Sequence, residues 1–170
     1  MAMAMECVSC RAALPPGSRF CPLCHVFTDN PDVGRLASPA RRLGATLMEY
    51  VIFAVAVLLA LGSFAAGKGG GVFGPLLLIA YVVWAIALFS HGTTPGKQML
   101  SMHVVRGTGQ PVGFFTMFIR EWISKWISGL VFGLGFLWIL IDKDRQAWHD
   151  KFVGTYVVQK GATDPAAAQQ

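Results

Sequence analysis

Four cysteines near the start of the chain carry the most specific chemistry in the sequence. They form two Cys-x-x-Cys pairs, Cys7 with Cys10 and Cys21 with Cys24, separated by ten residues. Each pair closes a tight turn that directs two thiolates at one point, and two such turns give the tetrahedral sulfur site that Zn²⁺ accepts. Metal binding would supply the folding free energy of a segment with few apolar residues. The spacing therefore predicts a closed, structural zinc site.

Other chemistries remain open for the same four thiols, namely an iron centre, a redox-active dithiol or two disulfides. The first residues show no basic start followed by an apolar segment of the kind that directs export. We therefore expect the cysteines in the cytosol, where thiols are kept reduced and disulfides are disfavoured. His25 is a further candidate ligand, although a place in the turn is the simpler interpretation.

The segment around the second pair, LPPGSRFCPLC, resembles the small zinc ribbons at the start of many bacterial membrane and regulatory proteins. Arg11 and His25 stand where those ribbons carry the glycine that follows each turn. The resemblance implies that residues 1–27 form one zinc ribbon with the four cysteines as its ligands.

Glu49 is the second residue whose position demands an explanation. It is the one charged residue in the apolar run from Leu43 to Ala66, where a carboxylate costs at least about 2.5 kcal/mol to insert into a bilayer. The carboxylate must find a cation, face a wet cavity or take up a proton. Arg42, Arg120 and Lys125 are the candidate partners. A place on a transport path and a purely structural ion pair both remain open.

A third group of ionisable residues lies between Asp142 and Lys151, where histidine and carboxylates are interleaved. Asp142, His149 and Asp150 invite a metal or acid–base interpretation. The group has no matching nucleophile, however, and it falls on a predicted turn. We therefore expect a solvated, hydrogen-bonded cap after the last helix, and we expect that the chain is not an enzyme.

The composition indicates the solvent in which these residues act. Of the 170 residues 54% are hydrophobic and 14% are charged, with a mean hydropathy of +0.53, whereas about 25% of residues are charged in soluble domains. The fold class that we predict is therefore an all-α membrane protein. The net charge of +5 then reports topology, through cations kept on the cytosolic side, and we expect no nucleic-acid partner.

Two apolar runs predict a transmembrane helical hairpin. The run Leu43–Ala66 is long enough to cross a hydrocarbon core of about 30 Å, and Ser38 with Pro39 supplies a helix start. The glycine-rich sequence Gly67–Pro75 predicts a turn, and Leu76–Ser90 is apolar again. The two helices would therefore return the chain to the side from which it came.

The stretch Gly113–Ile141 predicts an amphipathic or re-entrant helical pair with a bend near Gly129. Its first half carries charges among aromatic residues, which suits a helix at the membrane interface with Trp122 and Trp126 at headgroup level. Its second half is apolar but too short to cross a bilayer at full thickness.

Two short β-branched segments, Ser101–Arg106 and Phe152–Gln159, predict strands that pair with each other. Paired strands must share a compartment, which requires an even number of crossings. The positive-inside rule then favours a multi-pass protein of the cell (inner) membrane with both termini in the cytosol and the β pairing on the cytosolic side. The domain boundaries that follow are 1–27 for the zinc ribbon, 28–37 for a linker, 38–160 for the membrane domain and 161–170 for a disordered tail.

Residues 38–159 resemble the RDD family of bacterial membrane proteins. Three motifs occur in the family's order: RLGATLME at Arg42–Glu49, TPGKQMLSMHVV at Thr94–Val105 and RQAWHDKFVGTYVV at Arg145–Val158. The resemblance implies that Arg42, Glu49 and Asp150 occupy the family's three named positions, with Glu49 in place of an aspartate. It also implies a helical membrane architecture and a part in the transport of an ion or small ligand.

Two functional hypotheses follow. In the first, the chain takes part in transport, with Glu49 on the path and Lys97, Arg120, Asp142 and His149 as weaker candidate site residues. A bundle this small needs a homo-oligomer or another membrane protein to enclose a pathway. In the second, the chain is an adaptor that the lipid bilayer anchors and whose zinc ribbon binds a cytosolic protein partner.

Overall fold

Two long helices of apolar residues precede a small sheet and a set of shorter helices. The computed structural model describes residues 5–65, 71–130 and 134–160, so the predicted tail and residues 67–70 of the predicted glycine-rich turn lie outside the described residues, while the end of that predicted turn belongs to a helix that begins at Phe73. Helix α1 is Pro39–Ala65 and helix α2 is Phe73–Phe89. The Ser38 hydroxyl accepts the backbone N–H of Arg41 at 3.3 Å, as a helix cap does.

Helices α1 and α2 pack side by side in opposite directions. The Phe53 and Tyr81 rings lie 6.2 Å apart near the middle, and Gly74 at the start of α2 meets Ala60 near the end of α1. Most large apolar side chains of both helices are exposed. Among the described residues α1 is the one helix long and apolar enough to cross a membrane, and α2 is a shorter apolar helix of 17 residues.

A three-stranded antiparallel sheet joins three distant parts of the chain. Strand β5 (Thr155–Gln159) lies between β3 (Arg35–Leu36) and β4 (Met102–Arg106). The predicted pairing of β4 with β5 is confirmed. The predicted strand from Phe152 begins later, because Phe152 lies in a helix that ends at left-handed Gly154. Strand β3 comes from the segment that the sequence assigns to a linker.

The sheet is buried on both faces. One face packs on the helices through a cluster that includes Val104, Met117 and Val157. The other face packs on the N-terminal segment through a cluster that includes Phe20, Leu36, Tyr156 and Val158. Burial on both faces explains why β5 is almost wholly buried along its length, as central strands are.

Short elements complete the chain around this sheet. The N-terminal hairpin pairs β1 (Met5–Glu6) with β2 (Ala13–Leu14). Four shorter helices follow α1 and α2, namely α3 (Pro95–Met99), α4 (Phe114–Leu130), α5 (Leu134–Leu137) and α6 (Trp148–Val153). Single 3-10 turns lie at Pro31–Val33 and Trp138–Leu140.

Helix α4 is amphipathic, as predicted, but Arg120 and Glu121 are turned toward the protein. Arg120 and Glu121 are buried, whereas Trp122 and Trp126 are 61% and 72% exposed. The helix continues past Gly129, where the sequence predicts a bend, to Leu130. The charged side chains can face inward because other helices supply oppositely charged partners at the same place.

Candidate functional site

Asp150 is the centre of a buried network of charged side chains. Its Oδ2 accepts Arg42 Nη1 at 2.7 Å, and its Oδ1 accepts Arg120 Nε at 2.8 Å and Nη2 at 2.6 Å. The backbone N–H of Ala147 also donates to Oδ2, at 3.2 Å, at the start of α6. One carboxylate therefore joins α1, α4 and α6. Burial alone would raise the pKa of Asp150, but the guanidinium groups of Arg120 and Arg42 hold it well below its usual range.

Glu121 extends the network to α3. Its Oε1 accepts Arg120 Nη1 at 2.7 Å and Lys97 Nζ at 2.6 Å. Burial lowers the pKa of Lys97, and the Glu121 carboxylate opposes that effect. Both ammonium and carboxylate are shielded from solvent, so the pair depends on this geometry more than a surface pair does.

Glu49 adjoins the same network from α1. Its Oε2 accepts the Thr94 hydroxyl at 3.0 Å, and its charge is felt by Lys97 and Arg120. The close approach of α3 to α1 depends on Gly96, since a Cβ there would lie 2.1 Å from the Ala45 carbonyl oxygen. The first two RDD-like motifs therefore meet at Ala45 and Gly96, and this contact brings Thr94 to Glu49.

Among the described residues, the cations expected as partners of Glu49 are paired mainly with other carboxylates. Arg42 pairs with Asp150, and Arg120 binds both Asp150 and Glu121. The side chain of Lys125, the other candidate partner of Glu49, lies outside the described residues. Three cations and three carboxylates meet here, and they therefore compensate one another's charge: Arg42, Lys97, Arg120, Glu49, Glu121 and Asp150.

Asp142 forms the expected hydrogen-bonded cap, although its side chain is only 8% exposed, and the expectation of a solvated cap is wrong for Asp150 and His149. Asp142 accepts the backbone N–H of Gln146 at 2.9 Å and pairs with Lys151, as a capping residue does. Asp150 and His149 are instead turned into the protein, with His149 Nε2 3.6 Å from Asp150 Oδ1. Burial lowers the pKa of His149 to about 4, so the imidazole is neutral at pH 7. The difference arises because α6 packs on α4.

A cavity of about 690 Å³ opens beside the charged network. Glu49, Glu121 and three cations line one part of it, and the rest is mostly apolar. A second cavity of about 180 Å³ lies between α1 and α2. Glu49 lines both cavities, together with Thr46 and Tyr50. The carboxylate thus has both of the environments that can hold a charge in an apolar helix: cationic neighbours and an open cavity.

The four cysteines converge as their spacing predicts. Their Sγ atoms all lie within 4.8 Å of one another, with Cys7 to Cys24 at 3.6 Å and Cys10 to Cys21 at 3.5 Å. Tetrahedral coordination with metal–sulfur bonds of about 2.3 Å places the sulfurs about 3.8 Å apart, whereas a disulfide bond is about 2.05 Å long. The cluster therefore fits one metal ion and contains no disulfide.

The backbone of each cysteine turn has the left-handed residue that such turns require. Arg11 and His25, which stand at the usual glycine positions, both have φ of 58°, so the left-handed conformation is kept without glycine. Burial opposes ionisation of Cys7, but backbone N–H groups of Cys10 and Ser9 outweigh it and lower its pKa to about 7. Burial raises the pKa of Cys24 to about 12, so a metal must displace a proton there.

The cysteine segment is docked on the sheet. The Phe20 and Tyr156 rings pack in a tilted arrangement with centroids 5.1 Å apart, and Arg19 lies 3.5 Å from the Tyr156 hydroxyl. Arg145 donates to His25 Nε2 at 2.8 Å, and burial together with Arg145 lowers the pKa of His25. His25 therefore acts as an acceptor at this contact, and its Nε2 is turned to Arg145 from the third RDD-like motif.

The structure brings most of the sequence-predicted site residues together. Arg42, Glu49, Lys97, Arg120 and Asp150 form one network, with His149 beside it, while Asp142 caps a turn and the four cysteines form a separate cluster. Sequence reasoning missed Glu121 and Thr94 as partners. The signals were present, because Glu121 is a charge in an apolar helix and Thr94 opens the second motif.

Comparisons with known proteins agree with this arrangement. Residues 36–154 match the model of the RDD family, a membrane domain, and this range contains every member of the charged network. The chain is similar to Uncharacterized protein YckC of Bacillus subtilis (strain 168), with 31% identity over 122 residues that cover 68% of this chain and 80% of YckC. No solved structure matches the chain significantly. The chain belongs to the RDD family.

Proposed function

We propose that this chain is an integral membrane protein in which α1 and α2 cross the bilayer as a hairpin and Glu49 lies on the path of an ion or small ligand. The observation that carries the proposal is the position of Glu49, a carboxylate in an apolar helix that lines two cavities and neighbours Lys97 and Arg120. Ionisable groups inside a membrane are costly and typically serve transport or gating. We propose no enzymatic activity.

The sheet supports a topology with an even number of crossings. Strand β3 precedes α1, β4 follows α2 and β5 follows α6, yet all three strands are hydrogen-bonded together. The segments that carry them must therefore share one side of the membrane. Cations cluster before α1 and after α5, while the hairpin loop has Lys68 alone, so the positive-inside rule assigns that side to the cytosol. We place the protein in the inner membrane with both termini cytosolic.

A single chain is too small to enclose a pathway by itself, and two helices cannot surround a pore. The long exposed apolar faces of α1 and α2 are available to lipid and to a second copy of the chain. We propose a homo-oligomer as the transporting unit. The cysteine cluster binds zinc in this proposal and has a structural role, since four thiolates leave no coordination position open.

Flux through reconstituted vesicles tests the role of Glu49. Vesicles that contain the purified protein and an internal pH dye would be given gradients of protons and of monovalent cations in turn. Glu49→Gln keeps the size of the side chain and removes its charge, so we expect the flux to fall at least tenfold, equivalent to about 1.4 kcal/mol. Glu6→Gln is the matched control, since Glu6 is exposed in the first hairpin, and it should leave the flux unchanged.

Two outcomes would overturn the transport proposal. One is an unchanged flux in Glu49→Gln vesicles that hold as much protein as the wild type. The other is an absence of any flux from wild-type vesicles under the proton and monovalent-cation gradients. Reduced expression or thermal stability of Glu49→Gln without a change in flux per molecule would assign the residue a structural role.

The adaptor hypothesis has an observation of its own. Val8 and Leu23, the apolar residues inside the two cysteine turns, are 67% and 70% exposed. Exposed apolar residues on a rigid metal-binding turn suit contact with another protein. In-cell crosslinking should then give a reproducible cytosolic neighbour that is lost from a Val8→Ser, Leu23→Ser double variant with its metal retained. The same neighbour in wild type and double variant would contradict this alternative.

A further inference from the structure

The larger cavity has two kinds of wall. Arg42, Lys97 and Arg120 line its inner end with Glu49 and Glu121. The other wall includes Leu43, Leu137 and Leu140, which are between 55% and 67% exposed. These leucines continue onto the apolar outer surface of the protein. A ligand confined to the charged end alone would leave most of the 690 Å³ unused.

The charged end of the cavity presents more cations than carboxylates at its surface. The network as a whole is balanced in charge, but three cations line the cavity against two carboxylates, because Asp150, the third carboxylate, lies behind the arginines with no exposed surface. Arg42 is nine-tenths buried, and its Nε has no hydrogen-bond acceptor among the described residues. A buried donor without an acceptor costs about 1–3 kcal/mol, and a ligand oxygen that reached this N–H would remove that penalty.

We propose that this cavity binds an anionic amphiphile, a phospholipid whose phosphate lies at Arg42 and Lys97 and whose acyl chain follows Leu43 and Leu140 into the bilayer. The apolar wall distinguishes the lipid from a free phosphate ion, which would use the charged end alone. The inference rests on the membrane placement proposed above, and it names the class of molecule that the Glu49 site meets. It does not depend on whether the protein transports an ion.

Native mass spectrometry of the full chain tests the inference. Protein in a neutral maltoside detergent would be stripped of lipid and then titrated with a short-chain phosphatidylglycerol, with inorganic phosphate, or with more of the neutral detergent. We expect one phosphatidylglycerol per chain to remain bound and neither phosphate nor detergent to replace it. Leu43→Trp narrows the cavity and should weaken that binding at least tenfold, equivalent to about 1.4 kcal/mol.

Leu58→Trp is the matched control, because Leu58 is also an exposed leucine of α1 but does not line the cavity. It should leave lipid binding as in the wild type. Equal lipid binding by both tryptophan variants would overturn the inference, since it indicates lipid held on the outer surface. Displacement of the lipid by inorganic phosphate would also overturn it.

Flux measurements separate this inference from the proposed function. Lipid bound in the cavity without any flux from wild-type vesicles contradicts transport and supports the lipid site. Flux that Glu49→Gln abolishes, in a protein whose lipid binding is unchanged by Leu43→Trp, supports transport and contradicts the lipid site.

Discussion

Asp150 shows how a buried carboxylate can fix the arrangement of helices that are far apart in the sequence. It accepts hydrogen bonds from Arg42, 108 residues away, and from Arg120, 30 residues away. Such ion pairs add little net stability compared with apolar packing, but breaking one leaves an uncompensated charge. The network therefore specifies which helix faces meet, and this is the structural role that we assign to the first and third motifs.

Replacement of Asp150 by asparagine should destabilise the protein strongly. The variant leaves two guanidinium groups buried without their shared carboxylate, a change that typically costs about 3–5 kcal/mol. Thermal unfolding in detergent is the measurement. Asp32→Asn, at an exposed position outside the network, should unfold as the wild type does, and an Asp150→Asn variant that also matches the wild type would contradict the role of the network.

His149 should make the stability depend on pH. Its pKa is lowered from 6.5 to about 4 by burial, so between these values the unfolded chain binds a proton that the folded chain does not. Stability is then complete above pH 6.5 and falls as the pH approaches 4, by up to about 3 kcal/mol. His149→Gln should flatten the pH dependence of thermal unfolding between pH 5 and 6.5, and an equal slope in both proteins would rule this out.

Sequence reasoning located the important side chains better than it paired them. Glu49 had to have a compensating environment because a carboxylate in an apolar helix is costly, and that requirement is met. The residues that surround Glu49 could not be derived, because helical spacing shows which face a residue occupies and not which distant helix covers that face. Arg42 was a candidate for Glu49 on spacing and pairs with Asp150 through tertiary packing instead.

Among the elements, the short helix α3 connects the charged network to α1 of the helical hairpin. The five residues Pro95–Met99 form little more than one turn, and a helix this short depends on tertiary contacts. Its close approach to α1 brings Thr94 to Glu49 and Lys97 to Glu121. Gly96 of the TPGK motif therefore has a packing role, because Thr94 and Lys97 reach their partners only if α3 lies close to α1.

Gly96→Ala should disrupt this packing. The added Cβ would lie 2.1 Å from the Ala45 carbonyl oxygen, and relieving such overlap typically costs about 1–3 kcal/mol. We expect lower thermal stability and, in vesicles, a lower flux than the wild type. Gly62→Ala is the control, because nothing lies within 4 Å of a Cβ there and alanine favours the helix. Equal stability of Gly96→Ala and Gly62→Ala would contradict the packing role.

The cysteine cluster belongs to the same structural unit as the sheet. Leu36 in β3 donates its N–H to the His25 carbonyl at 2.9 Å, and Ala37 donates to Val157 at 2.9 Å. The sequence analysis assigned a linker to residues 28–37 because the chain before the first apolar run is polar and proline-rich. Two-residue strands carry too little pattern to be recognised, and their pairing is visible only in the fold.

Loss of the metal ligand should therefore loosen one edge of the sheet. With the zinc site proposed above, Cys21→Ser should lose one metal ion per chain and the segment around the cluster should unfold, since metal binding would supply its folding free energy. Hydrogen exchange should accelerate at Leu36 and Ala37, while Val104, whose N–H bonds to Gly92, exchanges as before. Ser9→Ala is the control within the same turn, and accelerated exchange in that variant alone would refute this coupling.

Over the whole molecule, a network of ionisable side chains is buried and many apolar side chains are exposed, as is typical of a membrane protein. The charged network and the sheet are buried in the protein, whereas α1 and α2 expose leucine, valine and phenylalanine along most of their length. A water-soluble protein arranges these groups in the opposite way. The composition predicted the exposed apolar surface from the sequence. The sheet, which joins three distant segments of the chain, is the feature that restricts the topology.

Membrane extraction tests the claim that α1 and α2 lie in lipid. Membranes from cells that express the full chain would be washed with alkaline carbonate and then treated with detergent, and the protein followed in pellet and supernatant. We expect the protein to stay in the pellet through the wash and to enter solution only with detergent. Release by carbonate as a monodisperse species in plain buffer would contradict the claim, and with it the membrane role of Glu49.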